Sequence, residues 1–393
     1  MIKLHRSTGT GFVSIETKRG QLAEHKGTPV KVSVIIPVYN AEKLLDDTVS
    51  SIREQTLKDI EIICVDDASS DASLSKLIQY AKEDSRVTVL SNSTNSGTGT
   101  TLNIGLEAAN GAYVQYVGND DMLVPDALEY LYGFCESNQV DFCQYAIEAL
   151  NDDPRSPFLV ERTQVKEQYH AVAHDYPILP GTDILTLSTQ RGEYRMSNGP
   201  QFVRKSLLDT NGIRNLEGLH HEDMYYTYRV LLSAKRSTIL ARPLYIYRIR
   251  PGSLESTKGE RLKNAEEFTA LLLSAAEMAE ATPEDLFNAN DFQPVVSSEI
   301  EQYYRIAAQR YASLSPEERS KIDRPDSKIA SGILCVIECY AAAEEHVRIE
   351  KRENERLRRK LDDITDSYSY KLGHVLLAGP YRLKKTLKTI FGS

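Results

Sequence analysis

Between Lys31 and Glu129 apolar strands alternate with amphipathic helices, and two of the strands run directly into adjacent aspartates. The first apolar run is Val32-Ser-Val-Ile-Ile-Pro-Val-Tyr39-Asn40. The second, Ile60-Glu-Ile-Ile-Cys-Val65, leads into Asp66-Asp67-Ala-Ser-Ser-Asp71. The third, Ala112-Tyr-Val-Gln-Tyr-Val117, leads into Gly118-Asn119-Asp120-Asp121. An unpaired carboxylate is too costly to bury, so these pairs are not core residues by default. In an open α/β sheet the C-terminal edge of the strands is where ligands bind. Two acidic pairs converging there point to a divalent cation and a polar, phosphorylated ligand.

Helical spacing over Asp46–Gln55 and Ser73–Asp84, a strand at Val87–Leu90 and a helix over Thr101–Asn110 complete a βαβαβ pattern. A mostly parallel sheet with right-handed crossovers follows. A helix over Pro125–Asn138, a strand over Val140–Ile147, helices over Ser206–Asn211 and Glu222–Ser233, and a strand at Leu244–Tyr247 extend this domain to residue 257. Residues 1–30 read as a polar extension, and 151–200 as a loop-rich insert that shapes a second substrate's site. Residues 258–343 have a helical pattern. Residues 344–366 are highly charged, with Val347, Asn354 and Leu361 recurring at seven. That repeat suits either a solvated helix or a short coiled coil that would pair two copies. Residues 367–393 hold five Lys or Arg and no acid, interleaved with leucines. Such a tail reads as a contact with an anionic membrane surface or as a helix docked on its own domain.

The formal net charge of −9 argues against wholesale nucleic-acid binding. The first 30 residues have no apolar signal-peptide core. No run reaches the ~18 apolar residues of a spanning helix. Cys64, Cys135, Cys143, Cys335 and Cys339 form no metal-type or disulfide-type pattern, which fits a reducing cytoplasm.

Several residues have readings beside the bland one. Tyr39 could stack on a base or simply fill a turn. Asp66 and Asp67 could meet a base and ribose hydroxyls, or cap the next helix. Asp120 and Asp121 repel unless a cation lies between them, which Mg²⁺ or Mn²⁺ with two phosphate oxygens would supply. Glu222 and Asp223 open a helix, as a general base or a favourable cap. His220 and His221 lack the i, i+4 spacing of a zinc helix. Arg248 and Arg250 follow a strand, where arginine suits phosphate.

Taken in order, these segments resemble family 2 glycosyltransferases of the GT-A fold. The matching residues are Val32–Asn40, Val65–Asp71, Asn95-x-Gly97 with Asn103-x-Gly105, Gly111–Tyr113, Asn119–Asp121, His221–Asp223, and Tyr247-Arg248 with Gly252-Ser253. The resemblance implies transfer of a sugar from a nucleotide-sugar, a UDP-sugar by expectation, to a hydroxyl of a glycan or lipid-linked acceptor, with inversion. It implies base contacts from Tyr39 and Asp67 with Asp66 nearby, and places Pro37 and Asn95 among the donor contacts. Asp120 and Asp121 would hold Mn²⁺ or Mg²⁺, Asp120 also meeting the donor. Asp223, with Glu222 beside it, would be the catalytic base, and Arg248 and Ser253 would lie near the diphosphate.

Two positions depart from the family pattern. Gly118 replaces the first aspartate of the usual Asp-Ser-Asp-Asp run, and Thr101-Leu102 replaces an Ala-Arg pair. Other classes remain open. A non-catalytic scaffold would keep the fold without turnover. A nucleotidyltransferase would need a basic, glycine-rich loop after the first strand, which Tyr39-Asn-Ala-Glu-Lys-Leu lacks. Ser367-Tyr-Ser-Tyr-Lys-Leu-Gly373 also resembles the C-terminal tails of bacterial surface-polysaccharide enzymes, and the basic amphipathic tail gives an expected location that is cytoplasmic, peripheral on the inner membrane face.

Overall fold

The computed structural model describes residues 3–6, 12–16, 29–151, 172–195, 197–218 and 222–250, with seven single positions between 278 and 317. The expected helices of 258–343, the heptad segment 344–366, the basic tail 367–393, Cys335, Cys339, His220, His221 and Ser253 lie outside the described residues. So does 152–171 of the insert. The chain divides into two compact units, Met1–Ser256 and Thr257–Ser393. In the second unit Met278, Tyr311 and Leu314 are buried. Among the described residues no helix is long and apolar enough to cross a membrane.

The first unit is built on one ten-stranded sheet. Its strands are β1 (Lys3–Arg6), β2 (Phe12–Glu16), β3 (Val32–Val38), β4 (Ile60–Asp66), β5 (Val87–Asn92), β6 (Tyr113–Tyr116), β7 (Met122–Leu123), β8 (Phe142–Asn151), β9 (Gln201–Arg204) and β10 (Ser237–Ile249). They lie in the order β1-β2-β5-β4-β3-β6-β9-β8-β10-β7. The run β5-β4-β3-β6 is parallel throughout. β9 enters antiparallel between β6 and β8, and β10 pairs parallel with β8. The N-terminal extension thus contains a hairpin, and its β2 adds antiparallel to the edge of β5.

The described helices of this unit are α1 (Leu45–Arg53), α2 (Ser73–Glu83), α3 (Thr98–Ala108), α4 (Ala127–Ser137), α5 (Gly181–Gln190), α6 (Lys205–Thr210) and α7 (Glu222–Ser233). β4 is buried at every position and β3 at all but Pro37. This explains their near-continuous apolar sequence, because a parallel sheet is covered on both faces. Val32, Val34, Ile36 and Val38 pack with Leu45, Val49 and Ile52 of α1, Leu77 of α2 and Leu131 of α4. Each such side chain contributes roughly 1.5–3 kcal/mol when fully buried. On the opposite face α3 lies close to β3. A Cβ at Gly105 would collide with Ile35.

Several elements differ from the sequence reading. Helix α3 begins at Thr98 rather than Thr101. Gly97 (φ +83°) alone makes the turn, and Gly99 already belongs to the helix. Strand β10 runs 13 residues, well beyond Leu244–Tyr247. Its register slips at Pro243, whose missing N–H cannot serve the ladder, so the apolar pattern breaks while the strand continues. The insert also contributes α5, so it is not uniformly loop.

Candidate active site

The parallel strands bring their C-terminal ends to one edge. Val38 stands opposite Asp66, and the N–H of Asp67 donates to the Val38 carbonyl at 2.7 Å. The N–H of Val117, just past β6, donates to the Ile35 carbonyl at 3.0 Å. Pro37 is half-buried at this edge, and Tyr39 is 47% exposed beyond it. Asn40 and Ala68 both adopt left-handed backbone, φ +47° and +59°. Asn40 secures the two turns to each other: its N–H donates to Ser69 Oγ at 3.0 Å, and its Oδ1 accepts from the Ser70 N–H at 2.8 Å.

The first carboxylate pair divides into two tasks. Asp67 Oδ1 accepts from Asn92 Nδ2 at 2.7 Å and from the Ser96 N–H at 2.8 Å, while Oδ2 accepts from the Gly97 N–H at 2.9 Å. It therefore holds the glycine-rich loop, on which Asn95 is exposed. Asp66 Oδ2 accepts from the Ser69 N–H and Ser91 Oγ, each at 3.3 Å. Its Oδ1 is buried with no hydrogen-bond partner. Of the two, Asp66 holds the unfilled acceptor, one that lies beneath the surface.

The second pair is arranged differently. Asp121 is 6% exposed. Its Oδ2 accepts from the Tyr245 hydroxyl at 2.7 Å and its Oδ1 from the Arg248 N–H at 2.9 Å. The Gly118 N–H donates in turn to the Tyr245 oxygen at 3.0 Å. A Cβ at Gly118 would lie 2.6 Å from Asp121 Oδ2. The glycine that replaces the expected aspartate is thus the space into which Asp121 folds. Burial, and then the charge of Asp120, push the Asp121 carboxyl up to about 7. Asp120 Oδ2 accepts from Arg250 Nε at 2.8 Å. Arg248 is 7% exposed, with Nη2 on Asp47 Oδ2 at 2.7 Å and Nε on the Asp120 carbonyl at 3.0 Å. Arg248 anchors this strand end to α1, and Arg250 is the more exposed arginine beside the carboxylates.

This pair suits a divalent cation. Among the described residues no three His, Cys, Asp or Glu side chains cluster as a ready cage. Mg²⁺ and Mn²⁺ do not need one, since one or two carboxylates plus phosphate oxygens and water suffice. Burial raises the Asp121 carboxyl most and the neighbouring Asp120 charge adds to it, and a bound cation would offset both.

Glu222 and Asp223 form the first turn of α7, where negative charge meets the positive end of the helix dipole. A Cβ at Gly99 would collide with the Leu216 carbonyl and come within 3.4 Å of Glu222 Cβ. The absence of a side chain there lets the first turn of α3 approach α7. It brings the α7 turn that bears Glu222 against the helix that follows the loop held by Asp67. Burial, and then the charge of Asp223, push the Glu222 carboxyl from its ordinary 4.5 to about 8. Burial thus favours the protonated form of Glu222 at neutral pH.

A carboxyl that binds its proton more tightly when folded loses stability for the fold as pH rises from its ordinary 4.5 through about 8. Glu222→Gln removes that loss. Its melting temperature should exceed the native one by several degrees at pH 8.5, at ~2–4 °C per kcal/mol for a domain of this size. The gap should shrink steadily toward pH 5. Thermal melts across that range check it, and a gap independent of pH would show that the Glu222 carboxyl is not held protonated.

Sequence reasoning missed Asp47 and Tyr245 as parts of this site. Both sit in amphipathic patterns that explain them as ordinary helix and strand residues, and only pairing across the fold reveals their partners.

Residues 33–207 match the family model described as glycosyl transferase family 2. Over 225 residues the chain is 31% identical to the poly(ribitol-phosphate) beta-glucosyltransferase of Bacillus spizizenii, covering 56% of this chain and 32% of that protein. It is 29% identical over 232 residues to the uncharacterized glycosyltransferase EpsJ of Bacillus subtilis, covering 57% and 62%. It is 28% identical over 237 residues to glycosyltransferase GlyG of Streptococcus pneumoniae, covering 58% and 73%. The chain thus spans about a third of the glucosyltransferase and under two thirds of EpsJ. Its fold is shared with the crystal structure of S. aureus TarS 1-349 in complex with UDP-GlcNAc, with a TM-score of 0.55 and 21% identity over 83% of this chain and 93% of that one. The sheet is the GT-A architecture expected from the sequence.

Proposed function

We propose that this chain, whose residues 33–207 belong to glycosyl transferase family 2, moves a sugar from a UDP-sugar to a hydroxyl of a glycan or lipid-linked acceptor, with inversion at the anomeric carbon. The observation that carries this is the gathering of acidic groups at one sheet edge, Asp66 after β4 and Asp120 and Asp121 after β6, with the first turn of α7, which holds Glu222 and Asp223, packed against Gly99 of α3. UDP is the donor nucleotide proposed because the fold neighbour was solved with UDP-GlcNAc.

In this reading Tyr39 stacks on the base, and Asp66 and Asp67 line the strand end beneath it, the unfilled Asp66 Oδ1 being the spare acceptor there. Asp120 and Asp121 would hold Mn²⁺ or Mg²⁺, which when bound supplies neutral balance for the charge on the diphosphate. Arg250 stands beside them, placed for a phosphate oxygen. Asp223 takes the proton of the acceptor hydroxyl, whose oxygen forms the new bond to the anomeric carbon as the bond to the diphosphate breaks. Glu222, protonated, leaves the basic role to its neighbour. Gly118 does not empty the site of carboxylates, which favours catalysis over a scaffold. The test is UDP release from UDP-glucose and UDP-GlcNAc with Mn²⁺, native chain against Asp223→Asn. Equal release by both would remove the reading.

The basic tail of 367–393 adds an anionic membrane surface as a proposed partner, on the inner face of the membrane where a lipid-linked acceptor is presented. Each of its five Lys or Arg near such a surface contributes ~1 kcal/mol, screened within a Debye length. Truncation after Asp366 should abolish sedimentation with phosphatidylserine vesicles and leave UDP binding unchanged. If the full chain ignores these vesicles at low salt, the tail is a packing element, or one that joins two copies with the 344–366 repeat.

A further inference from the structure

Behind the site lies a polar interior that none of these roles uses. Asn103 of α3 is 7% exposed. Its side-chain amide binds both backbone groups of Asn215: Nδ2 donates to the Asn215 carbonyl and Oδ1 accepts from the Asn215 N–H, each at 2.9 Å. Nδ2 donates also to Glu217 Oε1 at 3.1 Å. A side-chain amide offers two donors and two acceptor lone pairs, so most of its capacity is spent on one short segment. That segment leads toward Glu222 and Asp223.

The network continues inward. Asn215 Oδ1 accepts from Asn198 Nδ2 at 2.9 Å. Around this bond Asn215 Nδ2, Asn198 Oδ1 and the hydroxyls of Tyr116 and Tyr226 are buried, and the Tyr116 hydroxyl interacts with both Tyr226 and Asn215. The Tyr116 and Tyr226 rings meet edge-on, centroids 5.6 Å apart. Tyr116 ends β6, two residues before Gly118. Tyr226 lies three residues after Asp223, one turn along α7 and on the same side of the helix. The cluster therefore ties the strand that bears Asp120 and Asp121 to the helix that bears Asp223. An apolar filling would be cheaper, whereas buried polar groups bond only in particular arrangements and so select one geometry.

We propose that Asn103 is a positioning residue: through Asn215, Asn198 and the Tyr116–Tyr226 contact it fixes the spacing between the β6 carboxylates and the base on α7. This rests on the reading of Asp223 as base. An in-line displacement needs that spacing, and a misplacement of about 1 Å costs ~10²-fold in rate.

Asn103→Ala removes the bonds to Asn215 and Glu217. Its turnover of UDP-GlcNAc with Mn²⁺ should fall by ~10²-fold, while the Kd for UDP stays within about threefold. Ile60→Val, at the opposite edge of the sheet, serves as a stability control and should lower the melting temperature without that rate loss. Hydrogen exchange supplies a readout independent of turnover. Amides of 213–218 and 222–226 should exchange faster in Asn103→Ala, with Ile60–Asp66 unaffected. Unchanged exchange there overturns the clamp whether or not the native chain turns over a donor. Faster exchange with native turnover, or a loss of UDP affinity that accounts for the rate loss, overturns the positioning role. A native chain that clamps as described yet releases no UDP counts against the glycosyltransferase reading alone.

Discussion

Asp223→Asn should lower turnover by ~10²-fold or more, about 2.7 kcal/mol of barrier, and leave the donor Kd nearly native. The reason lies in what the amide can and cannot do. It keeps the size and helix-end position of the carboxylate, so α7 and its approach to Gly99 persist. It cannot take a proton from an acceptor hydroxyl. Removing the Asp223 charge also relieves one of the two causes that raise Glu222, so that carboxyl should become easier to ionise in the variant. Steady-state rates with UDP-GlcNAc, paired with calorimetric UDP binding, separate the two effects. A working Asp223→Asn together with a dead Glu222→Gln would transfer the role to Glu222.

The parallel half of the fold was legible because its strands are buried on both faces. A strand covered on two sides must be apolar throughout, as Val32–Val38 and Ile60–Asp66 are, and its end is marked where acids begin. The antiparallel insert was not legible. Gln201–Arg204 is only four residues and carries a polar end at each side, and its place between β6 and β8 is set by partners far off in sequence. Glycine misled in one place: Thr98-Gly-Thr100 reads as loop by composition, yet Gly99 is helical because the Leu216 carbonyl occupies the space of a side chain.

The candidate site was legible in its carboxylates and obscure in their partners. Asp66, Asp67, Asp120, Asp121, Glu222 and Asp223 announce themselves as acids at strand or helix ends. Which of each pair is occupied is a question of geometry. The resemblance puts Asp67 on the base with Asp66 nearby, whereas in the fold Asn92, Ser96 and Gly97 occupy the Asp67 oxygens. Arg248 and Arg250 both read as arginines suited to phosphate, and the Arg248 contact with Asp47 spans 201 residues of sequence, so no local pattern reports it.

Asp121→Asn should abolish most of the Mn²⁺-dependent binding of UDP and at the same time make the chain more resistant to heat above pH 7. The two effects have one origin. Asp121 lies buried next to Asp120, and its carboxyl is raised from its ordinary 3.8 to about 7. The folded chain therefore holds a proton there more tightly than the unfolded chain does. Its contribution to stability is full below about 3.8 and is lost as pH rises through about 7. An uncharged amide does not incur that loss. It can still accept from the Arg248 N–H through Oδ1, and the Tyr245 hydroxyl can reorient to accept from the new NH₂. What it cannot do is offer a second negative oxygen to a cation beside Asp120. A site shaped for a charged ligand holds like charges together at a cost to the fold, and the ligand's binding offsets that cost. Melts at pH 8 in chelator, set against calorimetric titrations of UDP with and without Mn²⁺, distinguish this from simple damage. Damage lowers both stability and binding. A variant that binds UDP equally well in Mn²⁺ and in chelator, and as tightly as the native chain does with the metal, would show that Asp121 holds no cation and that its burial serves the Tyr245–Arg248 strand end alone.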